Sequence, residues 1–363
     1  MGVTIPGCQE TYQSESRSER GSERLRDEHQ KIRRFREGDV FAMPAGVAKW
    51  IYNDGDSPAI CVTLYDISSS HNQLDQNLRN FYLAGNPQQR DFGSERRRRS
   101  YEEGNNIFTG FDQDLLADAY GVSVETINKL QGVNDNRGNI VRVERSLEVL
   151  RPEWRLEEEE IREERRRESE NGIEETFCTI KLIENTNNPS MADLFNPRGG
   201  RITTIDSKKL TILDYLQLSA ERVVLYRDAI MAPHWHVNAH SVVYVTRGSG
   251  RIQVANDNGR LVFDQQVQEG QLLVIPQNFV AVKKASSEGL EFIAFKTNGH
   301  AIGSTLAGEG SAMRGMPMEV LMNSFRVSRK DARQLKYGRR EMVVFGPRRL
   351  ARSREGEDPF SIV

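Results

Sequence analysis

Cysteine is scarce in this chain of 363 residues: Cys8, Cys61 and Cys178 are an odd count, so no internal pairing uses all three. Long hydrophobic runs are missing as well. No stretch of 18 or more apolar residues occurs, and that excludes a membrane-spanning helix. A large excess of either charge is also missing. The net charge of −2 gives no reason to expect nucleic acid or an anionic membrane as partner. The opening MGVTIPGCQETYQSES has neither the basic start nor the apolar centre of a signal peptide. The protein is therefore either cytosolic, or the sequence begins downstream of the true start, and we take the second as the expectation. Lysine is rare beside arginine, 11 against 39. Arginine carries three side-chain nitrogens where lysine has one, a weak compositional hint of nitrogen storage that thermophiles and RNA-binding proteins share.

What is present fits two soluble domains of ordinary size, with 37% hydrophobic and 28% charged residues. Two β-rich stretches stand out. In the first, FREGDVFAMPAG, AKWIYN and AICVTLYD read as short strands, which makes Cys61 a buried thiol. In the second, RVVLYRDAI, HSVVYVTRG, RIQVA, RLVFD, QLLVIP, FVAVKK and LEFIAFKT follow at the close spacing of a sandwich or barrel. A helical pattern follows each stretch, at 112–131 and at 318–337. Offset by 205 residues, Leu116 meets Leu321, Tyr120 meets Phe325, and the N-cap candidate Ser123 meets Ser328. Offset by 232, Gly38 and Pro44 meet Gly270 and Pro276. Caps and apolar positions recur while surface residues do not, the mark of a duplicated barrel-plus-helix-pair unit.

Between the copies, 151–171 carries both signs of charge and no apolar face, which reads as a solvated, disordered linker. The Arg96–Arg99 run lacks interleaved aromatics and is flanked by Glu, so it does not read as a nucleic-acid patch.

The stretch GDVFAMPAGVAKWIYN fits the second cupin motif, with Gly38, Pro44, Gly46 and Asn53 in place but Lys49 at the metal-binding histidine. A protonated lysine is a poor ligand. In the second copy, APHWHVNAHSVVYVTRG resembles the first cupin motif. His234 and His236, two apart on a strand, point to one side; His240 stands at the usual Glu. In the partner motif Asn278 replaces a Gly and Ala281 replaces the fourth ligand. Three imidazoles with an open position could hold Zn or Cu. That leaves two readings open, a metal-dependent cupin oxidase or dioxygenase using His234, His236 and His240, and a barrel mouth that kept polar residues after losing its site. A cupin that binds a sugar or another small ligand is a third.

The sequence NGIEETFCTIKLIEN resembles the processing site of the 11S (legumin-type) seed storage globulins, two-barrel cupins. NQLDQNLRNFYLAGNPQ, NIFTGFDQDLLADAYGV and EGQLLVIPQNFVAVKKAS extend the resemblance over nearly the whole chain. It implies a mainly β protein of two jelly-roll cupin barrels, each with a short helix pair. The N-terminal cupin covers 1–135 and is incomplete, because relatives carry a signal peptide and further strands upstream. The linker 151–171, the C-terminal cupin 172–345 and a flexible tail 346–363 follow. An asparaginyl endopeptidase is implied to cut between Asn171 and Gly172, and the IPGCQET cysteine, Cys8, to pair with Cys178 across the two products. Cut there, residues 1–171 carry 25 Lys+Arg against 32 Asp+Glu (25 − 32 = −7), and 172–363 carry 25 against 20 (25 − 20 = +5). This matches the family's acidic and basic chains. The resemblance further implies a nutrient reservoir without enzymatic activity or cofactor, self-assembly into trimers and then hexamers, and a protein storage vacuole reached by the secretory pathway.

Overall fold

The computed structural model describes residues 1–10, 12–17, 24–68, 80–85, 106–133, 137–143, 147 and 178–347. The linker with Asn171 and Gly172, the Arg96–Arg99 run and most of the tail lie outside the described residues. The chain divides into two compact units that interleave in sequence. The first draws on 1–4, 9–32 and 48–159, the second on 5–8, 33–47 and 160–363. Residues 33–47 group with the second unit because β4 (Asp39–Phe41) runs antiparallel to β6 (Ile183–Asn185), with Asp39 opposite Asn185. Residues 5–8 do so because Cys8 is bonded to Cys178.

In the first unit, β1 (Gly2–Thr4) pairs with β5 (Ala48–Trp50), and β2 (Tyr12–Arg17) with β3 (Arg24–His29), both antiparallel. Gly2 is required where it stands, since the Trp50 indole occupies the space a Cβ would need. The expected strand AICVTLYD is absent: residues 58–66 have no strand structure, and Ile60, Val62 and Tyr65 are exposed. Cys61 is likewise free and exposed rather than buried. Alternating apolar residues make a strand only when a neighbour supplies the hydrogen-bond ladder, and among the described residues none lies beside this one.

The helix pair of this unit is α1 (Gln113–Tyr120) and α2 (Val124–Gln131). The Asp112 carboxylate accepts from the Asp114 and Leu115 N–H groups, and the Ser123 hydroxyl accepts from Thr126 N–H, so each first turn has its cap. Gln131 donates to the Phe108 and Phe111 carbonyls, and Asn106 to that of Leu130, which ties α2 back to the turn preceding α1.

The second unit is built on one sheet of ten strands. Its strands are β7 (Leu194–Asn196), β8 (Gly200–Ile205), β9 (Ser219–Leu225), β10 (Ile230–His236), β11 (Ser241–Ala255), β12 (Leu261–Gln268), β13 (Leu272–Ile275), β14 (Val280–Lys296), β15 (Gly303–Thr305) and β16 (Val344–Phe345). The order is β12-β11-β14-β9-β8-β7; β10 pairs with β14, β15 and β16, and β13 with β11. HSVVYVTRG and RIQVA, read as two strands, form the single strand β11, and FVAVKK and LEFIAFKT likewise form β14. Register shifts at Val245/Arg247 and Gly248/Gly250 let these long strands bend around the core without ending. Inward side chains such as Val223, Leu225, Val243, Ile252, Leu290 and Phe292 are buried together in one apolar cluster. A short α3 (Ile212–Leu216) precedes β9; α4 (Ala312–Gly315), α5 (Met318–Phe325) and α6 (Arg329–Tyr337) precede β16.

The duplication extends to backbone conformation. Ser328 caps α6 as Ser123 caps α2, accepting from the Asp331 N–H. The residue closing α1 is Gly121 at φ 64°, and 205 residues on the residue closing α5 is Arg326 at φ 51°. A left-handed conformation costs an L-residue about 1–2 kcal/mol, partly offset by the backbone entropy that glycine loses on folding. Arg326→Gly is therefore expected to stabilise the second unit by about 0.5–1 kcal/mol, read as a higher urea midpoint with unchanged slope.

Candidate functional site

The two motif frames share backbone conformation at the offset of 232. Gly38 and Gly270 both have left-handed φ, 86° and 84°, as do Gly46 and Asn278, 78° and 62°. Asn278 replaces a glycine without loss of the turn because asparagine tolerates this region better than other side chains. At the metal-histidine position of the frame, Lys49 is exposed, with its ammonium 5.7 Å from the Tyr65 ring centroid. Its counterpart Ala281 is buried and opposes His234 across the β10–β14 ladder.

His234 and His236 do lie together, ring centroids 6.0 Å apart and edge-on. His240 does not join them. It is exposed, and its Nδ1 accepts the Gln277 backbone N–H at 3.0 Å, because it lies beyond the end of β10 in the loop before β11. Of the readings left open by the sequence, a site of three converging imidazoles is the one this geometry does not assemble. Among the described residues no group of three His, Cys, Asp or Glu side chains is placed to hold a metal ion.

A buried ionic network surrounds the two imidazoles instead. His234 Nδ1 donates to the Ala232 carbonyl at 2.7 Å, which leaves Nε2 as an acceptor, and the Lys283 ammonium donates to it at 3.0 Å. On the other side, Lys296 donates to Ser241 Oγ at 2.9 Å and pairs with Glu221 at 3.1 Å, while Ser241 Oγ lies 3.5 Å from His236 Nδ1. Lys283 and Lys296 are 2% and 4% exposed, so both ammonium groups are out of water. Burial pushes the Lys283 ammonium down to about 7, with Lys296 adding to the effect. Burial and then Lys283 hold His234 well below its ordinary value; burial and then Lys296 bring His236 to about 4. Burial alone would raise the Glu221 carboxyl, but Lys296 and the neighbouring imidazoles and Lys283 outweigh it and hold the group at about 2.

The residues present do not fit a catalytic metal. Two neutral imidazoles remain, one already engaged by a protein ammonium, which repels any incoming cation, and the fourth ligand position is an alanine. A metal-dependent oxidase or dioxygenase is thereby set aside on the chemistry of the donor set. The sequence reading missed Lys283, Lys296 and Glu221. Strand parity carries the signal: Lys283 shares the inward parity of Ala281 and Ala285, Lys296 that of Phe292 and Ala294, and Glu221 that of Val223 and Leu225, all buried.

Comparison with known proteins agrees with this geometry. The cupin family matches residues 1–89 and 184–333. The chain is 51% identical over 358 residues to cocosin 1 of Cocos nucifera, covering 97% of this chain and 75% of cocosin. It is 49% identical over 383 residues to an 11S globulin seed storage protein of Carya illinoinensis, covering 94% and 76%. The crystal structure of procruciferin, an 11S globulin from Brassica napus, superposes with a TM-score of 0.81 at 40% identity, over 96% of this chain and 81% of that one. The mainly β, two-cupin class expected from the sequence is the class these matches share.

Proposed function

The chain belongs to the 11S (legumin-type) seed storage globulins and serves as a seed nutrient reservoir, and from that premise we propose how it is processed and packed. An asparaginyl endopeptidase cuts after Asn171, in a charged segment whose Asn-Gly bond suits a flexible, accessible substrate. The acidic product, 1–171, contains the cupin of 1–135 and the linker 151–171; the basic product, 172–363, contains the cupin of 172–345 and the tail 346–363. The protein has no catalytic residue and no cofactor in this reading. Copies associate into trimers through their helix pairs, and cutting then lets trimers stack into hexamers in a protein storage vacuole reached through the secretory pathway. Exposed apolar residues on each pair support the helix contacts, Leu115 and Tyr120 on α1, Phe325 on α5, Leu335 and Tyr337 on α6.

The observation that carries this reading is the Cys8–Cys178 bond, whose partners lie on either side of Asn171, so that one cut leaves two chains still joined. The test is to treat the full chain with the endopeptidase and compare it with Asn171→Gln. The wild type is expected to give two chains that run as one band on non-reducing denaturing gels and as two with reductant, and to shift from trimer to hexamer by sedimentation. Asn171→Gln is expected to stay whole and trimeric. Separation of the chains without reductant refutes the pairing, and hexamers formed by uncut Asn171→Gln refute the gating by cleavage.

A further inference from the structure

Two arginines from distant parts of the chain meet around Gly346. The first, Arg198, sits in the turn between β7 and β8. Asn196 fixes that turn: its side-chain oxygen accepts the Arg198 and Gly199 N–H groups, and its amide donates to the Val344 carbonyl at 2.8 Å. The Arg198 stem lies so close over Gly346 that a Cβ there would come within 2.8 Å of it. The second, Arg339, donates to the Gly346 carbonyl at 3.1 Å and to Glu341 at 3.2 Å, with its guanidinium 5.1 Å from the Phe345 ring centroid. Arg340 follows, exposed, and among the described residues only its backbone N–H is spent, on Glu341.

Together with Tyr337 and Glu341 these residues line a surface cleft of about 360 Å³. The Glu341 carboxylate is neutralised by Arg339, so two guanidiniums, of Arg198 and Arg340, remain in excess. The surroundings add to this field. Residues 326–340 carry seven Lys and Arg against one Asp, while Arg314, 5.4 Å from the Tyr337 ring centroid, is itself paired with Glu309 at 3.7 Å. Tyr337 is shared with the proposed contact between copies, but the arginines serve neither the cupin interior nor the proposed processing.

We propose that this cleft binds a small, soluble oligophosphate. Guanidinium forks match phosphate oxygens two at a time, and a cleft of this volume admits a compact ligand carrying several phosphates. Anchoring of Arg198 and Arg339 by Gly346 and its neighbours reduces the ordering cost of binding.

Inorganic tripolyphosphate is the probe, titrated calorimetrically into the full chain at fixed salt. One saturable site per chain is expected, weakened about ten-fold or more in the Arg198→Ser/Arg340→Ser variant. A charge-matched Arg329→Ser/Arg333→Ser variant on α6 is expected to bind within about two-fold of wild type, since diffuse attraction is screened by salt. Arg340→Glu, a change at an exposed position, gives a second reading without risk to the fold and is expected to lose binding as well. Equal weakening in both double variants overturns the proposal by showing diffuse charge attraction, as does titration without saturation. Phosphoinositide-bearing vesicles form the other arm, and binding confined to them assigns the cleft to a membrane headgroup and sinks the soluble ligand.

Discussion

Glu221→Ala is expected to destabilise the second cupin by about 3–5 kcal/mol, the usual range for removing one partner of a buried ion pair. Its carboxylate is the anion paired with Lys296, itself 4% exposed, and it also offsets the field of Lys283 on the two imidazoles. Without it, the buried Lys296 ammonium loses its counter-charge, and Lys283, already brought down to about 7 by burial, loses the carboxylate that favours its charged form. Lys296→Met added to a Glu221→Leu background is expected to recover most of the loss, because apolar residues of similar volume remove both desolvation costs together. Urea unfolding of the three proteins at pH 7.5 measures this. A single-variant loss below about 1 kcal/mol would mean that water reaches the pair and that burial is not what holds it.

Acidification is the second large effect. In the folded chain His236 sits at about 4 and His234 well below its ordinary value, and both keep ordinary values near 6.5 once unfolded. Between those limits the unfolded chain binds more protons, so stability rises with pH and is lost as pH falls from 6.5 toward 4. His236 alone accounts for about 3 kcal/mol over that interval, because each tenfold difference in proton affinity is worth about 1.4 kcal/mol. Glu221, at about 2 when folded against 4.5, extends the loss in the same direction below pH 4.5. His236→Asn is expected to flatten the upper part of the curve, since asparagine keeps a polar side chain beside Ser241 without a proton to gain. Unfolding free energies measured every half unit from pH 7 to 4 decide the matter, and a slope equal in wild type and variant assigns the acid response to other groups.

Much of this was legible in the residues. Motif glycines at the offset of 232 and capping serines at 205 located the duplicated units because turns and helix ends impose local demands on residue type. Interior strand patterning located β9 and β11 through β14 for the same reason, whereas β10 is read as a strand only from its histidine motif. Reading failed where the outcome depended on a distant partner. AICVTLYD has the pattern of a strand, yet pattern alone does not supply a ladder, and Cys61 is exposed with it. His240 has the right spacing from His236 for a ligand, but the end of β10 turns it toward Gln277. Lysines at inward positions were passed over because a charged residue is ordinarily taken for surface, and only the three-dimensional fold brings Glu221 to Lys296.

The ladder between β4 and β6 has a consequence for synthesis. Asp39 finds Asn185 only 146 residues later, and Asn185 in turn donates to Asp39 at 2.7 Å. On a ribosome adding about 5–20 residues per second, the early segment waits roughly 7–30 s for its mate. Contacts of such long range slow folding, and in the interval Val40 and Phe41 offer an open strand edge to every other nascent copy. A chaperone bound to that segment is the expected companion of the growing chain.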